Sequence, residues 1–256
     1  MKKEIQIDVQ EIDHLGIIDE IGIVEIIDKE LGTHSQEKVS AGKVVKAMII
    51  NCMGFLTAPL FLFSEFFRRK ATEHLIGEGI KAEYLNESRL GRVLEQLYEY
   101  GVSLLFIKIA FVMVERFGIK ISSGHIDGTS LSVEGKYIEL EEKESSSEKV
   151  KENEENEEDD EPVPIKINHG YSRDYRPDLK QFTLILLTTG EEGIPLFMQV
   201  GDGNKLDSQA FPEMIKAFQS QWQGEKLDLF VIDLSENSQP NHSKLLQLFL
   251  EILPSA

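Results

Sequence analysis

The spacing of apolar residues changes period at Ile119, which limits the chain to a helical first part followed by a sheet-containing second part. Before that point apolar residues recur three and four apart, the repeat of one helix face. Ile17, Ile18, Ile21, Val24, Ile27 and Leu31 form the first such set, closed by Gly32. Val44, Val45, Met48, Ile49 and Cys52 form the second; it begins after Ser40 and is broken by Gly54 and Pro59. Leu60 to His74 is a third block, and Leu85 to Gly101 a fourth, with Asn86 or Ser88 as N-cap and Gly101 as stop. SLLFIKIAFVMVERFG, ending at Gly118, is the fifth. Ahead of them all, IQIDVQEI reads as a strand-like segment.

Beyond Ile119 the text alternates. IKISSGHIDGTSLSVEG is short and β-rich, and QFTLILLTT (181–189) and IPLFMQVGDG (194–203) flank the turn signal GEEG. Residues 208–222 return to helical spacing at Phe211, Met214, Ile215 and Phe218, and KLDLFVIDLS (226–235) is a run of the buried-strand type. The expected fold class is α/β in this part and α+β overall, with a central mixed sheet. The expected domains are 1–118, helical and a candidate DNA-binding unit, and 119–256.

An acidic run interrupts the second part. The chain carries a net charge of -18, and Glu141 to Glu161 alone holds twelve acids against three lysines. Half of the excess is therefore local, and residues 141–163 are expected to be a solvated, disordered insert. Global charge thus does not exclude a DNA-binding face elsewhere. It also leaves open an acidic protein–protein interaction module.

The single cysteine, Cys52, excludes an intramolecular disulfide and, lying in an apolar run, reads as a buried thiol. No apolar h-region follows the N-terminal lysines. The stretches AMIINCMGFLTAPLFLF and VSLLFIKIAFVMV are interrupted by Asn51 and Pro59 and by Lys108. Both fall short of the roughly 20 uninterrupted apolar residues of a membrane span. They read as buried core helices of a cytoplasmic protein with no membrane partner.

Two carboxylates, Asp127 in GHIDGTS and Asp233 in LDLFVID, stand at the ends of apolar strands. Two such strands side by side bring both groups within reach of one hard cation, and magnesium needs only one or two carboxylates besides water and phosphate. The alternative is structural, since Asp-Gly is a common turn and Asp caps loops. HGYSRDYRPDLKQF (169–182) packs Arg173, Arg176 and Lys180 among tyrosines, which suits a phosphate backbone or an ordinary polar loop turned by Pro177. GDGNKLDS (201–208) matches no phosphate-binding fingerprint, and Asp207 or Ser208 serves as an N-cap. FFRRK (66–70) is the basic cluster of the first part.

GHIDGTSLSVEG, HGYSRDYRPDLKQF, GDGNKLDS and LDLFVID, in that order, resemble the insertion sequence 1634-type transposases of the insertion sequence four group. SAGKVVKAMIINCMGF and LNESRLGRVLEQLYEYG resemble the helical region that precedes the catalytic domain in that family. The resemblance implies an RNase H-like domain, with Asp127 on its first strand and Asp233 after its fourth. It implies strand cleavage and joining at the terminal inverted repeats of a mobile element, and attack on target DNA, with Mg2+ or Mn2+ in a two-metal site. It further implies homo-oligomers, and Arg173, Arg176 and Lys180 as DNA contacts.

The resemblance stops after Asp233. The family's third acid is a Glu on a later helix, and nothing around Glu251 matches its surroundings. The catalytic domain is therefore expected to be incomplete and the chain a truncated transposase without transposition activity. An alternative is a DNA-binding remnant that represses an intact copy. An active nuclease instead requires Glu134 or Asp202 beside both aspartates.

Overall fold

The computed structural model describes residues 16–53, 59–135, 164–172, 175–227 and 229–232. The strand-like reading of IQIDVQEI, the breaker Gly54, the acidic insert 141–163, Arg173, Asp233 and Glu251 lie outside these residues. The described residues form an α+β fold in two compact units divided after Ile119.

The first unit is helical. Residues 16–21 are helical, and α1 (Ile23–Leu31) follows after Gly22, whose φ of 77° ends the first turn. The unbroken helical set read between Ile17 and Leu31 is thus two pieces. Helix α2 (Ala41–Cys52) starts at Ser40, whose side chain accepts the Lys43 N–H. It approaches α1 closely: a Cβ on Gly42 would lie 2.3 Å from the Val24 carbonyl oxygen, and Gly42 N–H donates to Asp28 Oδ1 at 2.6 Å. Buried Lys46 donates to Asp19 Oδ1 across the same contact.

The block Leu60–His74 is not one helix. It forms a 3-10 turn (Leu60–Leu62), α3 (Phe63–Arg68) and α4 (Thr72–Ile76). A buried Thr72 hydroxyl donates to the Phe67 carbonyl oxygen, which fixes the corner between α3 and α4. Helix α5 (Glu87–Tyr100) is capped by Asn86, whose side chain accepts the Arg89 N–H, and stopped by Gly101 at φ 92°. Helix α6 (Val102–Phe117) ends at left-handed Gly118. The core gathers Ile27, Val44, Phe63, Phe67, Leu85 and Leu90, all essentially without solvent exposure.

Two burial expectations are corrected here. Cys52 is exposed, because it stands at the last position of α2, off the stripe of Ala41, Val44, Ala47 and Ile50 that enters the core. The first apolar stretch is also not a buried helix throughout, since Leu60, Phe61 and Leu62 are exposed on their 3-10 turn. Among the described residues no single helix is long and apolar enough to cross a membrane.

The second unit holds a four-stranded sheet in the order β3-β2-β1-β4: β1 (Ser123–Val133), β2 (Lys180–Thr189), β3 (Pro195–Gly201) and β4 (Leu229–Ile232). β1 pairs antiparallel with β2 and β2 with β3, whereas β4 pairs parallel with β1. Helix α7 (Asp207–Gln221) makes the crossover between β3 and β4 and lays Phe211, Met214, Ile215 and Phe218 on one face of the sheet. Phe218 packs on Phe197 of β3 with ring centroids 6.0 Å apart. A parallel return of this kind needs such a crossover, which is why the helix stands between these two strands.

Two readings of the second unit are revised. The α7 N-cap is Leu206, in extended backbone without a side-chain cap, and Asp207 is the first helical residue. A carboxylate in the first turn still meets the positive end of the helix dipole. β4 reads as a buried strand but is not one, with Leu229 56% and Val231 41% exposed. It is the outer strand of the described sheet, and α7 covers only one face.

Candidate functional site

Strand β1 positions Asp127. Its burial alternates from Gly124 to Leu131, so Gly124, Ile126, Gly128 and Ser130 face α7 while His125, Asp127, Thr129 and Leu131 face the other side. The alternation is the pleat itself. Asp127 is therefore an exposed carboxylate in the middle of an eleven-residue strand, not at its end as the sequence suggested. The reason is that Gly128 does not turn: it lies under α7, where a Cβ would come within 3.3 Å of Asp207 Oδ1 and 3.4 Å of the Phe211 ring. Asp127 Oδ1 accepts the Gly128 N–H at 2.8 Å.

The surroundings of Asp127 follow from the register. Leu186 lies directly opposite it on β2, and Met198 lies opposite Leu186 on β3. On the other side, β4 is in register with β1 through His125–Val231 and Ile126–Ile232. Each of these isoleucines is followed in the sequence by an aspartate, Asp127 in one strand and Asp233 in the other. Asp233 lies outside the described residues.

The two other candidate acids are not beside Asp127. Asp202 follows β3, with β2 between it and β1, and its Oδ1 accepts the Lys166 N–H at 2.8 Å. Glu134 follows the last residue of β1, seven positions from Asp127, about 23 Å at strand rise. Among the described residues no group of three or more His, Cys, Asp or Glu side chains could hold a metal ion. Asp127 offers the oxygen chemistry that a hard cation takes.

The basic motif is placed in part. Arg176 makes a two-pronged ion pair with Asp178, Nε to Oδ1 and Nη2 to Oδ2, both at 2.9 Å. That hydrogen-bonded pair holds the Asp178 carboxyl below its ordinary range and raises the Arg176 guanidinium, with a smaller field from Glu134. Lys180 opens β2 opposite Val133. In the first unit, Arg68 and Arg69 of the FFRRK cluster both pair with Glu65.

Gln181 joins two motifs that read as separate in sequence. Its Nε2 donates to the Gly203 carbonyl oxygen at 2.8 Å and to that of Tyr171 at 3.1 Å, while its backbone bridges to Asn168. Gly203 N–H donates to the Lys166 carbonyl oxygen. A Cβ on Gly203 would sit 2.0 Å from the Gln181 carbonyl oxygen, and one on Gly170 would sit 2.0 Å from that of Gly203. The glycine loop and the basic motif are thus two halves of one backbone clasp at the β2–β3 end of the sheet. The loop's glycines allow this close approach, which accounts for them without a phosphate.

In comparison with known proteins, residues 7–111 fit the family described as a domain of unknown function, DUF4277. That segment lies within the helical unit and covers less than half of the chain. No curated protein and no solved structure matches the chain.

Proposed function

We propose that the chain is a DDE-type transposase that binds DNA, with Asp127 and Asp233 as the carboxylates that hold Mg2+ or Mn2+. The observation that carries this reading is the parallel pairing of β1 with β4, in which Ile126 and Ile232 stand opposite each other one residue before the two aspartates in sequence. The strand order β3-β2-β1-β4, with β2 antiparallel to its neighbours and β4 paired parallel with β1, is the arrangement expected of an RNase H-like domain of this kind. An ordered motif set running from Gly124 to Asp233 supports the same reading.

A bound divalent cation supplies Lewis-acid activation of the attacking oxygen and charge stabilisation of the leaving one. The protein's part is to hold Asp127 on a strand pinned from both sides, so that its carboxylate costs little ordering when a cation binds. Terminal inverted repeats and target DNA are the proposed partners, with Arg173, Arg176 and Lys180 as backbone contacts and a homo-oligomer as the working form. Arg176 reaches a phosphate only by exchanging its bond to Asp178.

A mobility-shift assay on terminal inverted repeats tests this reading. Binding is expected, and absence of binding at low salt would overturn it.

A further inference from the structure

Tyr171 and Tyr175 are the most exposed large apolar side chains among the described residues, at 71% and 92%. They belong to one short segment, and neither ring is held in a core. Tyr175 also has a φ of 56°, and among the described residues it is the one non-glycine residue with positive φ. That conformation is costly for a bulky side chain, whereas glycine adopts it freely. The turn would form more easily without a ring at this position, so the ring itself calls for an explanation. A backbone outlier of this kind is a reason to look for a ligand.

The segment is tied down on both sides of these rings. Tyr175 N–H donates to the Ser172 carbonyl oxygen at 3.4 Å, and Arg176 N–H donates to Ser172 Oγ at 2.9 Å. The Tyr171 carbonyl oxygen accepts Gln181 Nε2, and the Arg176 guanidinium is pinned by Asp178. Both rings are thus carried by backbone anchored to the end of the sheet, and little ordering is left to lose when a flat ligand lies on them. The surrounding charge narrows the ligand. Residues 166–180 hold Lys166, Arg173, Arg176 and Lys180 against Asp174 and Asp178, a net +2 in a chain of net -18. Rings set among cations suit a ligand with flat faces and negative charge together, which describes the bases and phosphates of an unpaired strand. In a duplex those base faces are stacked on one another and closed to a side chain. We propose that Tyr175, with Tyr171, is a stacking platform for the bases of single-stranded DNA, and that Arg176 and Lys180 hold its phosphates. The proposal rests on the DNA reading above and adds to it a preference for unpaired bases, without regard to which base is stacked.

The test measures fluorescence anisotropy of labelled DNA with the full chain at low salt. The probes are an oligothymidylate, an abasic strand of equal length and a duplex of equal length. The abasic strand keeps the phosphates and removes the bases. The parent chain is expected to bind the oligothymidylate about tenfold more tightly than the abasic strand, within the range of one stacked base. Tyr175→Ala should lose most of that preference and Tyr175→Phe should keep it. Tyr175→Ala should still bind the abasic strand and the duplex as the parent does, which also shows that the variant is folded. Equal affinity of the parent for the oligothymidylate and the abasic strand would overturn the proposal, and duplex binding would then leave the DNA reading standing. A preference that survives Tyr171→Ala combined with Tyr175→Ala would also overturn it. Binding to none of the three would overturn the DNA reading as well and turn the rings over to a protein partner.

Discussion

Ile126 of β1 stands directly opposite Ile232 of β4 in a parallel pair, and each isoleucine is followed in sequence by an aspartate. The side chain of Asp127 points away from α7, so its charge contributes nothing to the packed face beneath it. Asp127→Asn is therefore expected to leave stability within about 0.5 kcal/mol of the parent. It should also weaken Mn2+ binding, read by isothermal titration. Undiminished binding would remove Asp127 from the proposed metal site.

Gly203 has no room for a side chain, because a Cβ would lie 2.0 Å from the Gln181 carbonyl oxygen and 2.6 Å from that of Asn168. Both neighbours are backbone and cannot rotate aside. Gly203→Ala is expected to destabilise the second unit by about 1–3 kcal/mol, the usual cost of overpacking. A lowered urea midpoint at unchanged slope checks this, and an unchanged midpoint would refute the clasp.

Arg89 is buried in the helical unit, where Nη1 donates to Glu37 Oε1 at 2.9 Å and Nε to the Val39 carbonyl oxygen at 3.1 Å. It ties α5 to the segment that leads into α2. Arg89→Met removes the cation and leaves Glu37 facing a low-dielectric pocket, at an expected cost of about 3–5 kcal/mol. The double change Arg89→Met with Glu37→Leu should recover much of that loss in thermal denaturation. A double variant no better than the single one would mean that the charge pair is not what holds the segment.

Glu30, Tyr100 and Lys108 form a hydrogen-bonded group between α1, α5 and α6, with Lys108 Nζ 2.6 Å from Glu30 Oε2. The hydrogen bond from Lys108, followed by that from Tyr100, lowers the Glu30 pKa from its ordinary 4.5. A lowered carboxylate pKa adds stability above the unfolded value, and that stability is lost as pH falls through the folded value. The helical unit should thus lose stability below about pH 4.5 more steeply than a Glu30→Gln variant does. The Lys108 pKa is raised, first by its bond to Glu30, so that contribution holds at neutral pH and is lost only above its ordinary 10.5. Parallel acid limbs for the two proteins would contradict this coupling.

Much of the fold is legible in the sequence wherever a local pattern and its punctuation agree. Asn86 before an apolar 3.6-residue repeat and Gly101 after it give α5 within a residue or two, because both the cap and the stop are local chemistry. Legibility ends where burial has to be inferred from composition. Leu60 to His74 is apolar enough for one helix, yet the chain turns twice there and leaves Phe61 exposed. β4 is as hydrophobic as a central strand and stands at the outer position of the described sheet. Gln181 escapes sequence reasoning for a similar cause. Its role is a pair of side-chain bonds to residues 10 and 22 positions away, and no spacing rule carries that information.

The sequence by itself determined the identity of the chemistry-bearing groups, the change from helix to sheet at Ile119 and the periodicity of each element, because these are properties of neighbours along the chain. Only the tertiary structure decided which face of β1 Asp127 occupies, that Gly128 lies under α7 instead of turning, and that β4 runs parallel to β1 with Ile232 opposite Ile126. A one-residue slip in that register would send Asp127 to the covered face. Its availability to a cation is set by long-range pairing, which local sequence does not specify.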